Sequence, residues 1–561
     1  MMVVLLALLA ASFTFYVRSS LNGVYARQYD FFARHAAEAG IQRAIVLLRA
    51  SRGDPVTWYN NTAVFRQAAV EKIRGDAAAT FQSYATGAQA AQQPDDKPRR
   101  ADPMWRFSLY ASTDAGTQAG GSSSGGSSSA QQSAVRYGLV PETGKLDLNL
   151  VRENQFRRFL IAAVPEKGPN NQTIDRDALV DCFLDWREKG DQPRPKGAKN
   201  EYYQTLKPGY RTKGGRFDTV EELLQIKGFS AWVVFGEDFN RNGILDPNED
   251  DGNTSFPPDD ADGKLFRGIA PFLTVNSRET NTDSENKPRI NLNLRDMEQL
   301  EKQLTEKKID QKLTTYILGI RNQGLAFRSV MDLLPVPPPD PDEEQEDDRG
   351  DSTSRPSDES STSQPTSQAS SQPSRRGSGR QTSQPSQGGR STSRPSRNRP
   401  LTNLTDEVPP GTVADLPVIL DRLTTAAVPL MVGRINVDTA GREVLLSIND
   451  FTEEEVDAIV SNRTSLSGDE MRTPAWLLTR GLISERKFRQ NLNRLTCSSQ
   501  VFSMDSVGYA DHVGTMRRLN VMIEMRGPIG QVLYYRDLTS LGPAYTPGGE
   551  ETRGIARESA R

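Results

Sequence analysis

An α+β fold, in which a long N-terminal helix lies on an antiparallel sheet and a large all-helical insertion interrupts that sheet, is predicted by three observations. Residues 1–50 read as one unbroken helical stretch. Two groups of alternating, strand-like segments stand far apart in the chain, at 105–140 and at 500–536. Between them a unit of helical character recurs three times. Antiparallel strands must lie side by side, so the two groups are read as halves of one sheet and the sequence between them as one insertion.

The helix is the first element. Met1 to Val17 carries no charged side chain. At ~1.5 Å per residue it spans roughly 25 Å, slightly less than the ~30 Å hydrocarbon core of a bilayer. A cleaved secretory signal is the alternative, but no Lys or Arg precedes the apolar run and the helical pattern continues without a break through Ala37-Glu38-Ala39-Gly40. The short run and missing basic flank lead to the expectation that the true start lies upstream or that a leader is absent. Past Arg18, Leu21, Tyr25, Phe32, Ala36, Ala39 and Val46 share one face, while Ile41, Ile45 and Leu48 lie on the other. A helix that is apolar on two sides calls for two partners, its own sheet and a neighbouring subunit. Ser51-Arg52-Gly53-Asp54-Pro55 ends it.

Composition narrows the function. A chain of 561 residues holds about three or four structural units. A net charge of −3 and a pI near 5.8 argue against a nucleic-acid binder. Cys182, Cys497, His35 and His512 are the whole Cys and His inventory, too few for a zinc site of the usual kind. The two cysteines form either one disulfide or two buried free thiols.

After the helix (1–50), residues 51–144 begin an α/β domain. Its Ala-rich 56–90 stretch reads as helical. Trp105 to Tyr110 alternates as a strand, Val135 to Val140 reads as its partner, and a Gly/Ser tract at 116–130 reads as a lengthened flexible loop. Modules one and two fill 145–336. A Pro/acidic then Ser/Arg-rich stretch at 337–400 lacks any apolar period and reads as disordered. Module three occupies 401–484, the last strands of the α/β domain 485–545, and a tail 546–561. The modules open alike, as Lys145-Leu146-Asp147-Leu148-Asn149, Arg289-Ile290-Asn291-Leu292-Asn293 and Arg434-Ile435-Asn436-Val437-Asp438. Each also carries a Ser or Thr before an apolar pair, at Phe217 to Leu224, Phe327 to Leu334 and Met471 to Leu478, where the hydroxyl reads as a helix cap. Thr219 with Glu222 predicts a capping box.

One segment carries chemistry. Asp238 to Glu249 fits the twelve-residue EF-hand calcium loop. Calcium takes about six to eight hard oxygens. Asp238, Asn240 and Asn242 would supply side-chain oxygens, Ile244 its carbonyl, Asp246 an oxygen directly or through water, and Glu249 two. Gly243 allows the sharp turn and Leu245 anchors the loop. A polar turn without metal is the bland alternative. Flanking helices are not evident, so the affinity is expected near ~10⁻⁴ to 10⁻³ M. Asp259, Asp260 and Asp262 either extend the site or are solvated.

No catalytic pattern survives. Gly138 to Gly144-Lys145 has the wrong spacing for a phosphate loop, and Asp181 with Asp185 reads as an exposed helix face. No enzyme activity and no small-molecule substrate are expected.

Residues Ala37 to Ala44, Gly144 to Asn149, Leu179-Val180-Asp181 to Asp185-Trp186, Phe217 to Gly228, Leu273 to Glu279, Arg289 to Asn293 and the strand pair ending Tyr534-Tyr535-Arg536-Asp537 resemble the general secretion pathway protein K family. The resemblance implies a minor pseudopilin of type II secretion, with a pilin-like α/β domain and a SAM-like or helix-hairpin-helix-like insertion. It implies a single-pass inner-membrane protein with its soluble domain in the periplasm. It implies a place at the pseudopilus tip, other minor pseudopilins as partners, and calcium (Ca2+) binding.

Two rivals compete with this reading. Tandem helix-hairpin-helix-like modules could grip DNA phosphates, but Ser447-Ile448-Asn449-Asp450-Phe451 sets an acid where the phosphate would sit. A calcium-dependent surface adhesin is the other.

Overall fold

The computed structural model describes residues 2–70, 105–112, 135–252, 254–259, 261–336, 411–510, 514–527 and 529–542. The Gly/Ser tract at 116–130, the 337–400 stretch, His512 and the 546–561 tail lie outside the described residues, as do 71–104.

Helix α1, Met2–Ser51, is continuous and ends where the Gly and Pro signals put it. The helical continuation expected over 56–90 is not what the described part of that stretch forms. Asp54 and Asn61 each cap a new four-residue helix, Pro55–Trp58 and Thr62–Phe65, because each side chain accepts an amide that would otherwise be unpaired. Gln67, at φ 51, then turns the chain into strand β1, Ala68–Ala69. Strands β2 (Trp105–Ser112), β3 (Val135–Tyr137) and β4 (Val140–Pro141) follow.

The insertion is built on short ladders. Strand β5 (Leu146–Asp147) pairs in parallel with β6 (Leu273–Thr274), and β7 (Arg278–Thr280) leads on to β8 (Ile290–Asn291). Strand β8 pairs in parallel with β9 (Leu423–Thr424), and β10 (Leu430–Val432) lies antiparallel to β7. Strand β11 (Ile435–Asn436) pairs in parallel with β12 (Leu495–Thr496). The insertion is therefore not all-helical: each module brings its closing Leu-Thr back beside its opening segment, which satisfies backbone groups that helices alone would leave bare. The β8 to β9 pairing also moves a boundary. Residues 411–424, read from sequence as the start of module three, close module two, and module three runs from Arg434 to Thr496.

The repeated Asn acts as a clamp. The Asn149 amide accepts from Phe217 N–H at 2.7 Å and donates to its carbonyl at 3.1 Å, and Asn293 does the same to Phe327 at 2.8 and 2.8 Å. Ser329 forms a true capping box with Asp332, but Thr219 makes no cap. Glu222 instead accepts the Trp186 indole N–H at 2.9 Å, because the indole reaches it from the neighbouring helix. One core runs from Leu146 to Cys497 through all three modules. Both cysteines are buried and free.

Strands β13 (Val501–Ala510), β14 (Met516–Arg526) and β15 (Ile529–Asp537) complete the main sheet, in the order β1-β2-β13-β14-β15 with β3 on β2 and β4 on β13. The antiparallel register Tyr110↔Asp505 joins the two halves of the chain across the insertion. Alternation gives the sheet two faces. Phe107, Leu109, Phe502, Met504, Leu519, Val521, Ile523 and Met525 meet Ala37, Ile41, Ala44 and Leu48 of α1. The contact is close: a Cβ on Gly508 would lie 2.0 Å from the Ala33 carbonyl oxygen, and Ser506 Oγ donates to Ala37 O at 2.6 Å. Residues 8–28 of α1 are exposed on all sides, and beyond them the side away from the sheet leaves Phe31 and Val46 exposed. Among the described residues no helix is long and apolar enough to cross a membrane.

Candidate metal centre

The opposite face of the sheet, with Ser503, Asp505, Arg518, Asn520 and Met522, looks onto the insertion across a crevice of about 340 Å³. The candidate loop sits at this boundary. Helix Ala231–Phe235, capped by Ser230, ends at Gly236, which has φ 68 and where an added Cβ would lie 1.8 Å from the Phe266 carbonyl oxygen, so no side chain fits. The chain then turns through Arg241 (φ 57) and Gly243 (φ 72) to a short 3-10 helix, Pro247–Glu249.

Five of the six proposed ligands hydrogen-bond within the loop through their side chains, and Asn240, Asn242 and Asp246 do so with one another. Asp238 accepts Asn242 N–H at 2.9 Å and Gly243 N–H at 2.8 Å. Asn240 and Asn242 donate their amide N–H groups to Asp246 Oδ2 at 2.7 and 3.1 Å. Glu249 accepts Phe239 N–H at 2.9 Å and Asp246 N–H at 3.1 Å, completing a capping box with Asp246. Ile244 enters through its backbone, its N–H donating to Asn242 Oδ1 at 2.6 Å. Leu245 is half-buried rather than a core anchor.

Burial sets the electrostatics. Asp238 is held above the usual carboxylate range by desolvation, against the opposing charges of Arg267 and Arg518 and two backbone amides. Glu249 is pushed up to about 7, first by burial and then by the charges of Asp238 and Asp246. The donor set is hard oxygen throughout, and a carboxylate oxygen that accepts one amide keeps a further lone pair for a cation. The residues therefore fit calcium by type and spacing. Among the described residues no group of three or more His, Cys, Asp or Glu side chains is arranged to hold a metal. Asp238, Asp246 and Glu249 thus need the Asn oxygens and the Ile244 carbonyl to make a site.

The neighbouring acids are engaged elsewhere. Asp259 is buried and accepts Gly252 N–H at 2.7 Å and Ala261 N–H at 2.8 Å within its own turn, and Asp262 accepts Lys264 N–H. Asp260 lies outside the described residues. Asp181 and Asp185 do not share an exposed face: Asp185 is buried and holds Arg194 through its backbone N–H at 3.0 Å, and Asp181 accepts Lys196 N–H. In the hairpin of module three Asp450 has φ 70, and the helix it leads into begins Glu453-Glu454-Glu455 beyond its Thr452 cap. That end repels phosphate.

Sequence reasoning missed the seat of the loop. Arg518 of β14, 1% exposed, donates to the carbonyls of Asn240 and, at 2.8 Å, Arg241, while its Nε donates to Asp505 Oδ2 at 2.9 Å. It also missed the recurring Leu-Thr of β6, β9 and β12. That signal was available, since each Thr hydroxyl accepts the N–H two residues on, at Asn276, Ala426 and Ser498.

Residues 145–234 match the family described as Type II secretion system (T2SS), protein K. No curated protein matches the chain. Among solved structures it is similar to one from the GspK-GspI-GspJ complex of the enterotoxigenic Escherichia coli type 2 secretion system, at 7% identity, covering 93% of this chain and 99% of that one. The TM-score is 0.33.

Proposed function

From the match of residues 145–234 to the type II secretion system protein K family, we propose that the chain belongs to that family and is a minor pseudopilin with a structural role in a type II secretion system. It assembles at the pseudopilus tip with other minor pseudopilins. The charge-free start of α1 sits in the inner membrane, and the rest of the chain stands in the periplasm. Calcium in the loop 238–249 stabilises that periplasmic part, held by Asp238, Asn240, Asn242, Ile244, Asp246 and Glu249.

The observation that carries this reading is the two-sided helix. One side of α1 is buried on the sheet, with Ala33, Ala37 and Ala44 fully covered, and the other leaves Phe31 and Val46 exposed among the polar His35, Gln42 and Arg49. Large apolar side chains left exposed on a long helix are expected of a subunit that packs beside similar helices. Calcium chemistry is supported by an all-oxygen donor set at the EF-hand spacing, in which a divalent cation would offset the cost of burying the Asp238 and Glu249 carboxylates.

Co-expression with the other minor pseudopilins of a type II secretion system tests the reading. The wild-type chain is expected to co-purify with them. Val46→Asp is expected to abolish the complex while leaving the melting temperature nearly unchanged, since an exposed substitution costs within about 0.5 kcal/mol. Absence of any complex with the wild type contradicts the proposal, as does an unaffected complex with the variant.

A further inference from the structure

The candidate loop is held by a residue from outside the insertion. Arg518 stands on β14 of the main sheet, yet its guanidinium crosses the boundary and fixes two consecutive carbonyls, those of Asn240 and Arg241, between the ligand positions Asp238 and Asn242. Its own position is fixed in turn. Both Nε and Nη2 donate to Asp505 Oδ2, and Asp505 Oδ1 accepts the Asn520 amide at 2.5 Å. A second brace comes from β15: Arg241 lies over the Phe235 ring at 4.0 Å and faces Glu221 at 3.9 Å, and Glu221 accepts Arg536 at 2.8 Å. Loop and sheet thus meet through a planar fork that only Arg supplies.

We propose that Arg518 is a positioning residue that couples cation binding in the loop 238–249 to the seating of the insertion on the main sheet. The inference rests on the calcium reading and adds a regulation to it. A loop whose backbone is pinned by Arg518 presents its oxygens in one arrangement, so the cation does not have to order it. By linkage, a bound cation must then hold the loop against the sheet by the same free energy. Charge works in the opposite sense, because a guanidinium near the loop repels a divalent ion. Asp505, paired with Arg518, opposes that field, and the coupling rests on the geometry of the fork.

The sign of the effect is therefore read from a variant that keeps the net charge. In the full chain in detergent, with calcium chloride as the probe, Arg518→Gln combined with Asp505→Asn removes one charge of each sign. Calorimetric titration is expected to show calcium affinity weakened roughly tenfold, about 1.4 kcal/mol. Hydrogen exchange is expected to show calcium slowing residues 516–526 in the wild type and leaving them unchanged in the double variant. Arg518→Lys, which keeps the charge and loses the fork, is expected to behave like the double variant.

Asp238→Asn with Glu249→Gln probes the coupling from the loop side with Arg518 intact. It is expected to leave exchange at 516–526 unresponsive to calcium. Wild-type affinity in both Arg518 variants, or slowing of 516–526 that persists in them, would overturn the coupling while leaving the calcium site standing. Absence of any calcium heat with the wild type overturns both the calcium reading and the coupling.

Discussion

Asp438 occupies in module three the place that Asn149 and Asn293 hold in the other two. It is buried, accepts the Trp476 indole N–H at 2.9 Å and lies beside the Cys497 thiol. Burial pushes its carboxyl up to about 7, only partly opposed by that thiol, the indole and Arg463. The folded value exceeds the ~3.9 of an unfolded Asp. The native state therefore binds the proton more tightly, and the contribution is full below pH ~4, declines through pH 7 and levels off above it. Asp438→Asn is expected to remove that decline and to stabilise the protein at pH 8 by about 3–4 kcal/mol, checked by urea unfolding at pH 5 and pH 8. In the other modules, Asn149→Ala or Asn293→Ala strands the amide and carbonyl of Phe217 or Phe327. Each is expected to cost about 1–3 kcal/mol in the same assay. The repeated position was legible in the sequence as a row of Asn, Asn and Asp, but the partner was not, since Trp476 lies 38 residues from Asp438 and no local rule links them.

Elements whose signals are local were read well, and those set by tertiary contact were not. The end of α1 near Ser51 follows from Gly53 and Pro55, and the three C-terminal strands follow from alternation. The capping box expected at Thr219 does not form: Glu222 takes the Asp218 N–H with one oxygen and the Trp186 indole of another helix with the other, and the Thr219 side chain makes no cap. The parallel ladders escaped notice because two-residue strands have no periodicity. Between helix and sheet the tightest contact is at Gly508, where an added Cβ would come within 2.4 Å of the Ala37 amide nitrogen as well as touching the Ala33 carbonyl. Gly508→Val is expected to push α1 off β13 and destabilise the fold by about 3 kcal/mol, seen as a lower urea midpoint. Gly319, with open space around its Cβ position, is the matched control: Gly319→Ala is expected to be neutral or slightly stabilising.

At the scale of the molecule, one sheet joins the two ends of the described chain, and three modules share one core between them. The candidate loop belongs to the insertion and is seated on the sheet, so a cation bound there would act on the joint between the two parts. The loop's ligand pattern was legible because calcium chemistry is written in spacing. Its seat was not, because an Arg in an alternating strand reads as an ordinary outward residue, and its partners lie 277 and 278 residues away. Thermal unfolding of the full chain, with millimolar calcium and with chelator, tests the account most directly. Calcium at about 10 times its dissociation constant stabilises by about 1.4 kcal/mol. The expected result is a melting temperature higher by a few degrees in calcium, with the difference abolished by Asp238→Ala plus Glu249→Ala. Equal melting temperatures for the wild type in calcium and in chelator would contradict it.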